Sequence, residues 1–216
     1  MKTKRKIQIT VDVLLTCILL LQMSYSIAGE LIHEILGIAL FILFLLHHIL
    51  SASFSKALVK GKHNSEKVLK TVVDILLTAD ILALMFSAVL VSKHVFTFLG
   101  ISNLSSLGRT VHMLGAYWGF ALMSLHLGFH LDFILPKTLK KKRPAAIIMI
   151  LLSIAGLVCF IHEEIYKYMF LINQFVFFDT TGGLPLFILK YILIAAMFTT
   201  IGYGIINVTK RRKNNG

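Results

Sequence analysis

The sequence predicts an all-α, polytopic membrane helical bundle of about six transmembrane helices, and three observations carry that prediction. The first is apolar length: 57% of the 216 residues are hydrophobic, 15% are charged, and there are three prolines. Six runs, 7–28, 31–52, 70–92, 110–131, 145–161 and 184–207, come near the ~20 residues a helix needs to cross a bilayer. Only helices satisfy their own backbone in lipid at such lengths. The second is where the basic residues fall. Eighteen of the 22 Lys and Arg lie in Lys2–Lys6, Lys56–Lys70, Lys137–Arg143 and Lys210–Lys213. With six spans those segments share one side, which the positive-inside rule makes cytoplasmic. A multi-pass protein of the cell membrane with both termini inside is expected. The net charge of +12 thus reports topology and some attraction to membrane lipid, and gives no ground for a nucleic-acid partner. The third is a pair of matched histidine spacings, taken up below.

Taken in order, the first run opens on Lys2 to Lys6 and ends near Ser26-Ile27-Ala28. That outline is shared with signal peptides, but Asp12 and Gln22 interrupt the run and it is longer than a signal core, so it is expected to stay as the first span. Leu14-Leu15-Thr16-Cys17 is a poor lipoprotein box. Span one opens with Val11-Asp12-Val13-Leu14-Leu15-Thr16 and span three with Val73-Asp74-Ile75-Leu76-Leu77-Thr78. Each is followed by a His-x13-His span with a nearby glycine, Gly37 after His33 and Gly115 after His112. This marks a duplicated two-helix hairpin. Residues 1–135 are therefore expected to form a four-helix core, and 136–216 two further helices with an outer aromatic loop. That loop, between Phe160 and Pro185, holds Tyr166, Tyr168, Phe175, Phe177 and Phe178. It reads as an outer loop or an interfacial helix and, with Glu163, Glu164 and Asp179 as its charges, as a docking surface or an ordinary interfacial belt. Cys17 and Cys159 lie in separate apolar segments without a C-x-x-C, so a disulfide, a thiol redox motif and covalent c-type haem are unsupported.

His33 and His47 are fourteen residues apart, and so are His112 and His126. A helix turns ~100° and rises ~1.5 Å per residue, so fourteen residues return within ~40° of one face, about 21 Å further along. Each helix then holds an imidazole near each side of a ~30 Å hydrocarbon layer. Spans two and four both run from outside to inside, which sets His33 beside His112 towards the outer surface and His47 beside His126 towards the cytoplasm. Gly37, Leu40 and Phe44, and Ala116, Gly119 and Met123, share the histidine faces. Gly37 and Gly119 either let a macrocycle approach the backbone or permit close helix packing. Zinc needs ligands that converge, whereas each spacing splits its pair by about 21 Å. A proton relay needs acidic partners at matching depth, and Asp12, Asp74 and Asp80 lie on other helices, nearer the inside or middle. Haem takes one axial nitrogen from each of two facing helices, so two haems with iron ligands His33, His47, His112 and His126 are expected.

His48 overshoots the face by ~60° and His47 is preferred to it. His130, one turn past His126, is a backup ligand or a propionate partner. Arg109 is placed either for propionates of the outer haem or as an interfacial anchor. His63, His94 and His162 are expected to be solvated in loops. Asp80 is either capped by a hydroxyl such as that of Thr78 or handles protons. A transporter or structural membrane subunit with packing or proton-relay histidines stands as the alternative.

His33-Glu-Ile-Leu-Gly37 through His47-His48, and Arg109-Thr-Val-His112-Met-Leu-Gly115 through His126-Leu-Gly-Phe-His130, resemble the flavinylation-associated cytochrome family of small bacterial membrane proteins. The likeness covers about residues 8–131, with Phe177-Phe178-Asp179 and Gly202-Tyr203 continuing it. The histidine layout is also similar to that of respiratory cytochrome b. The family resemblance implies two non-covalent b-type haems on the His-x13-His helices and electron delivery to an extracytoplasmic protein with covalently bound FMN. This chain has no flavin-attachment motif, so the flavin would sit on that partner. A quinol is a candidate inner donor, although no quinone motif is present. The role implied is an electron-transfer subunit rather than a stand-alone enzyme.

Overall fold

The computed structural model describes residues 2–59, 64–100, 105–134, 143–176 and 182–215. Its helices are α1 (Lys2–Gln22), α2 (Tyr25–Ala28), α3 (Glu30–Val59), α4 (Ser65–Val91), α5 (Ser105–Ile134), α6 (Arg143–His162), α7 (Ile165–Met169) and α8 (Gly183–Asn215). No strand occurs among the described residues. Four stretches are long and apolar enough to cross a membrane: Glu30–Ala52, Ser65–Val91, Pro144–His162 and Gly183–Arg211. They give the chain the character of a multi-pass membrane protein. α1 and α5 are 21 and 30 residues long but more polar. α1 carries Lys4, Arg5, Lys6 and Asp12, and α5 carries Arg109, three histidines and Asp132.

Lipid-like surroundings explain which side chains face outward. Ile147, Leu151, Ile154 and Val158 on α6, with Ile35, Ile42 and Ile49 on α3, are 53–71% exposed. Apolar surface on this scale is solvated by acyl chains rather than by water.

Two hairpins form one half of the bundle. α1 ends six residues before its apolar run does, and just beyond it Ser24 Oγ donates to the Leu21 carbonyl at 2.6 Å. Gly29 then reverses the chain with φ +87°, a conformation a side chain would strain, and α3 returns along α1. The second hairpin starts at Asn64, whose side chain accepts from Lys67 N at 2.8 Å as an N-cap, and packs α4 against α5. A carboxylate joins the hairpins: Glu34 of α3 accepts from Ser92 Oγ at 2.7 Å and from the Lys93 and Val95 backbone nitrogens at 2.7 and 2.8 Å. At the opposite end Lys210 of α8 reaches Asp132 at 2.6 Å and Glu66 at 3.7 Å, and Glu66 also pairs with Lys70.

α8 seats itself on α5 and α6 through glycines. Gly128 faces the Thr199 and Tyr203 backbone, Gly202 faces that of Leu125, and Gly156 faces that of Leu193. Small residues let helix backbones approach closely where lipid supplies no hydrophobic drive. A Cβ at Gly128 would sit 2.9 Å from Tyr203 N, and one at Gly156 would sit 2.8 Å from the Leu193 carbonyl carbon. Gly128→Ala or Gly156→Ala should therefore force the helices apart and cost roughly 1–3 kcal/mol. Thermal melting in detergent reads this as a lowered midpoint. Gly204→Ala, with nothing within 4 Å of its new methyl group, should melt no lower than the parent protein.

Where an outer loop or an interfacial helix was expected after α6, the short helix α7 packs inward. Ile165, Tyr168 and Met169 of α7 are buried, Tyr117 stacks on Tyr168 at 5.0 Å, and Trp118 Nε1 donates to the Met169 carbonyl at 2.8 Å. Glu164, with φ +53°, turns the chain back into the bundle. Glu163 is not a free surface charge either, since it pairs with Lys190 at 2.7 Å and is 10% exposed. Phe170, Ile172 and Phe175 do face outward. Phe177, Phe178 and Asp179 lie outside the described residues, as do His63, Lys137 to Lys142 and Gly216.

Candidate functional site

Between the α1/α3 and α4/α5 hairpins lies a largely apolar cavity of about 2060 Å³. That is larger than the about 300–1,000 Å³ of a usual drug-sized ligand pocket. His33, His47, His112 and His126 all line it. So do the residues expected to share their faces: Gly37, Leu40 and Phe44 on α3, and Ala116, Gly119 and Met123 on α5. Arg109, His48 and His130 also border the cavity.

At the end where α3 begins, the His33 and His112 rings meet edge to face, with centroids 5.8 Å apart. Tyr25 packs edge-on against His33 at 5.2 Å. His112 Nδ1 lies 3.2 Å from Ser87 Oγ. That hydroxyl also lies 2.9 Å from the Leu84 carbonyl, to which it can donate; His112 is then the donor at Nδ1. His33 Nδ1 is buried without a hydrogen-bond partner. Polar groups crowd this mouth of the cavity. Tyr25 donates to Glu30 at 2.9 Å, and Lys93 donates to Glu30 as well. The hydrogen bond to Glu30 holds the Lys93 ammonium above its usual range.

Towards the other end, His47 Nδ1 lies 2.7 Å from Asp12 Oδ1, and His126 Nδ1 lies 2.7 Å from Asp74 Oδ1. A carboxylate can only accept, so Nδ1 of each ring is the donor and Nε2 is the nitrogen left to face another partner. The aspartates, set aside as partners from the sequence because they lie on other helices, are therefore direct partners. Each belongs to the neighbouring helix of its own hairpin. The repeated Val-Asp-x-Leu-Leu-Thr hexapeptide was the signal that could have found them. Ser87 had no comparable signal.

The neighbours of these histidines differ. His48 Nδ1 donates to the Phe44 carbonyl of its own helix at 3.1 Å, and its ring lies 4.2 Å from that of Phe44. His130 lies beside His126 with centroids 4.7 Å apart. Asp74, His126 and His130 offer three ligand atoms within 4.8 Å of one another, a spacing that a single metal ion can span. Asp80 also lines the cavity. It is not capped by Thr78, whose hydroxyl donates to the Asp74 carbonyl at 2.7 Å, and its Oδ2 is buried without a partner. Gly119 provides the room for that carboxylate, and the space beside Gly37 holds the Gln22 amide at 3.0 Å. His94 and His162 sit near the surface, the latter 69% exposed beside Glu163.

Comparison with family models, with curated proteins and with solved structures returns no match. A function for this chain has to be argued from its own residues.

Proposed function

We propose that the protein is a transmembrane electron carrier that holds two non-covalent b-type haems between its hairpins, with His33 and His112 as one ligand pair and His47 and His126 as the other. The observation that carries this reading is the opening of four spacing-matched histidines, from two facing hairpins, onto one cavity of about 2060 Å³. The residues suit the group. His112, His47 and His126 present Nε2 with Nδ1 engaged as a donor, the arrangement metal-ligating histidines favour. Between the pairs Leu40, Phe44 and Met123 give the cavity apolar walls suited to a flat ligand, with Asp80 and Gln22 as polar groups among them. When bound, haem supplies one-electron chemistry; the chain supplies ligands, burial and orientation.

In this reading α1 and α5 join the four apolar helices to make six spans. The basic segments then put both termini in the cytoplasm and the His33/His112 end outside. A membrane or cytoplasmic donor, with a quinol as candidate, feeds the inner end. An extracytoplasmic FMN-carrying protein accepts at the outer end, a partner that rests on the resemblance of the two histidine motifs to flavinylation-associated cytochromes. Purified protein should give a reduced-minus-oxidised spectrum and a pyridine haemochrome of b type. Colourless protein from cells amply supplied with haem would end this reading.

A second reading has its own observation. The Asp74, His126 and His130 cluster could hold one divalent transition-metal ion instead, with the remaining histidines as packing groups. Such a protein would take up about one metal ion per chain. It would lose that ion, and no haem, on His130→Ala.

A further inference from the structure

The hexapeptide that occurs twice in this chain makes the same contact twice. In α1, Asp12 accepts from His47 of α3, and Thr16 Oγ1 donates back to the Asp12 carbonyl at 2.9 Å. In α4, Asp74 accepts from His126 of α5, and Thr78 Oγ1 donates back to the Asp74 carbonyl at 2.7 Å. The two Asp–His distances are equal at 2.7 Å, within the short range of charge-assisted bonds. A threonine bonding four residues back often bends its helix slightly, and both helices carry that bond at the aspartate. The other histidine pair has no such partners. His112 faces the neutral hydroxyl of Ser87 and the Leu84 backbone, and His33, whose Nδ1 is unpartnered, meets the Gln22 backbone; neither has a carboxylate.

We infer that Asp12 and Asp74 are paired positioning residues for His47 and His126: they set ring orientation and tautomer, and make these two imidazoles stronger donors than His33 and His112. The inference rests on the haem reading above and deepens it. Neither carboxylate touches the cofactor; each acts through one imidazole. A carboxylate accepting from Nδ1–H raises the basicity of the ligating nitrogen, which favours the oxidised iron and lowers its reduction potential. Basic side chains near this end, Lys4 and Arg5 on the cavity wall, act the other way. The change on removing each carboxylate therefore carries the test, rather than the absolute potential.

The experiment is a spectroelectrochemical titration of full-length protein in detergent, with haem counted in the same samples. The inner wave is identified as the one missing in His47→Ala. In Asp12→Asn and in Asp74→Asn that wave should move to higher potential while the outer wave stays. The inner site should also bind haem roughly 10- to 100-fold more weakly. Asp12→Glu and Asp74→Glu, which keep a carboxylate, should restore part of the shift, and Ser87→Ala should leave the inner wave in place. Both haems bound with an unmoved inner wave would overturn the inference and leave the haem reading intact. Loss of both haems in both Asn variants would mark a structural role and overturn it too. Unmutated protein that binds no haem would overturn the inference together with the reading beneath it.

Discussion

Replacing either member of a histidine pair by alanine is expected to halve the haem content. His33→Ala and His112→Ala should each reduce it from about two haems per chain to about one, emptying the outer site; His47→Ala and His126→Ala should empty the inner one. The remaining site should survive because the pairs are about 21 Å apart along their helices and share no ligand. His48→Ala should keep both haems. His48 overshoots the face shared with His33 by ~60°, and its ring packs on that of Phe44 at 4.2 Å. The five variants, compared by haem-to-protein ratio, also decide the facing of α3. A haem lost in His48→Ala but kept in His47→Ala would turn that face by one residue.

The second large effect concerns sidedness. In sealed right-side-out vesicles an inner donor should reduce an external FMN-carrying protein when all four ligands are present. With His33→Ala or His112→Ala the rate should fall to that of haem-free vesicles, because no other redox group would stand near the outer surface. A reporter fused at Gly216 should read cytoplasmic. Unchanged external reduction in His33→Ala, or an external reporter signal, would break the proposed path. A transporter would instead move solute with no dependence on haem supply.

Four of the six expected spans were legible by length and hydropathy alone, whereas α1 and α5 are helices too polar to be recognised as spans on that ground. The histidine faces were legible for a related reason: helical phase is local, and Gly37, Leu40, Phe44, Ala116, Gly119 and Met123 do line one cavity. What could not be read was lateral packing between helices. Asp12 and Asp74 looked remote from the histidines because they are on different helices, yet a hairpin brings antiparallel neighbours side by side. The repeat was visible, but not the contact it encodes. Gly119 was read as space for a macrocycle or a helix, and the group beside it is the Asp80 carboxylate. The inward packing of the short helix after α6 was hidden for a similar reason. Aromatic residues suit an interfacial belt and a buried core equally well, and the left-handed turn at Glu164, which sends Tyr168 inward, leaves no mark in composition. Nor does composition reveal that Glu163 is neutralised by Lys190, twenty-seven residues on.

The most direct measurement is the content of haem and of metal per chain in the purified, unmutated protein, taken by pyridine haemochrome and elemental analysis on one sample. Two b-type haems, with iron matching haem and no stoichiometric zinc, manganese or copper, is the predicted result. A haem-free chain carrying about one non-haem metal ion, or none, would contradict the account.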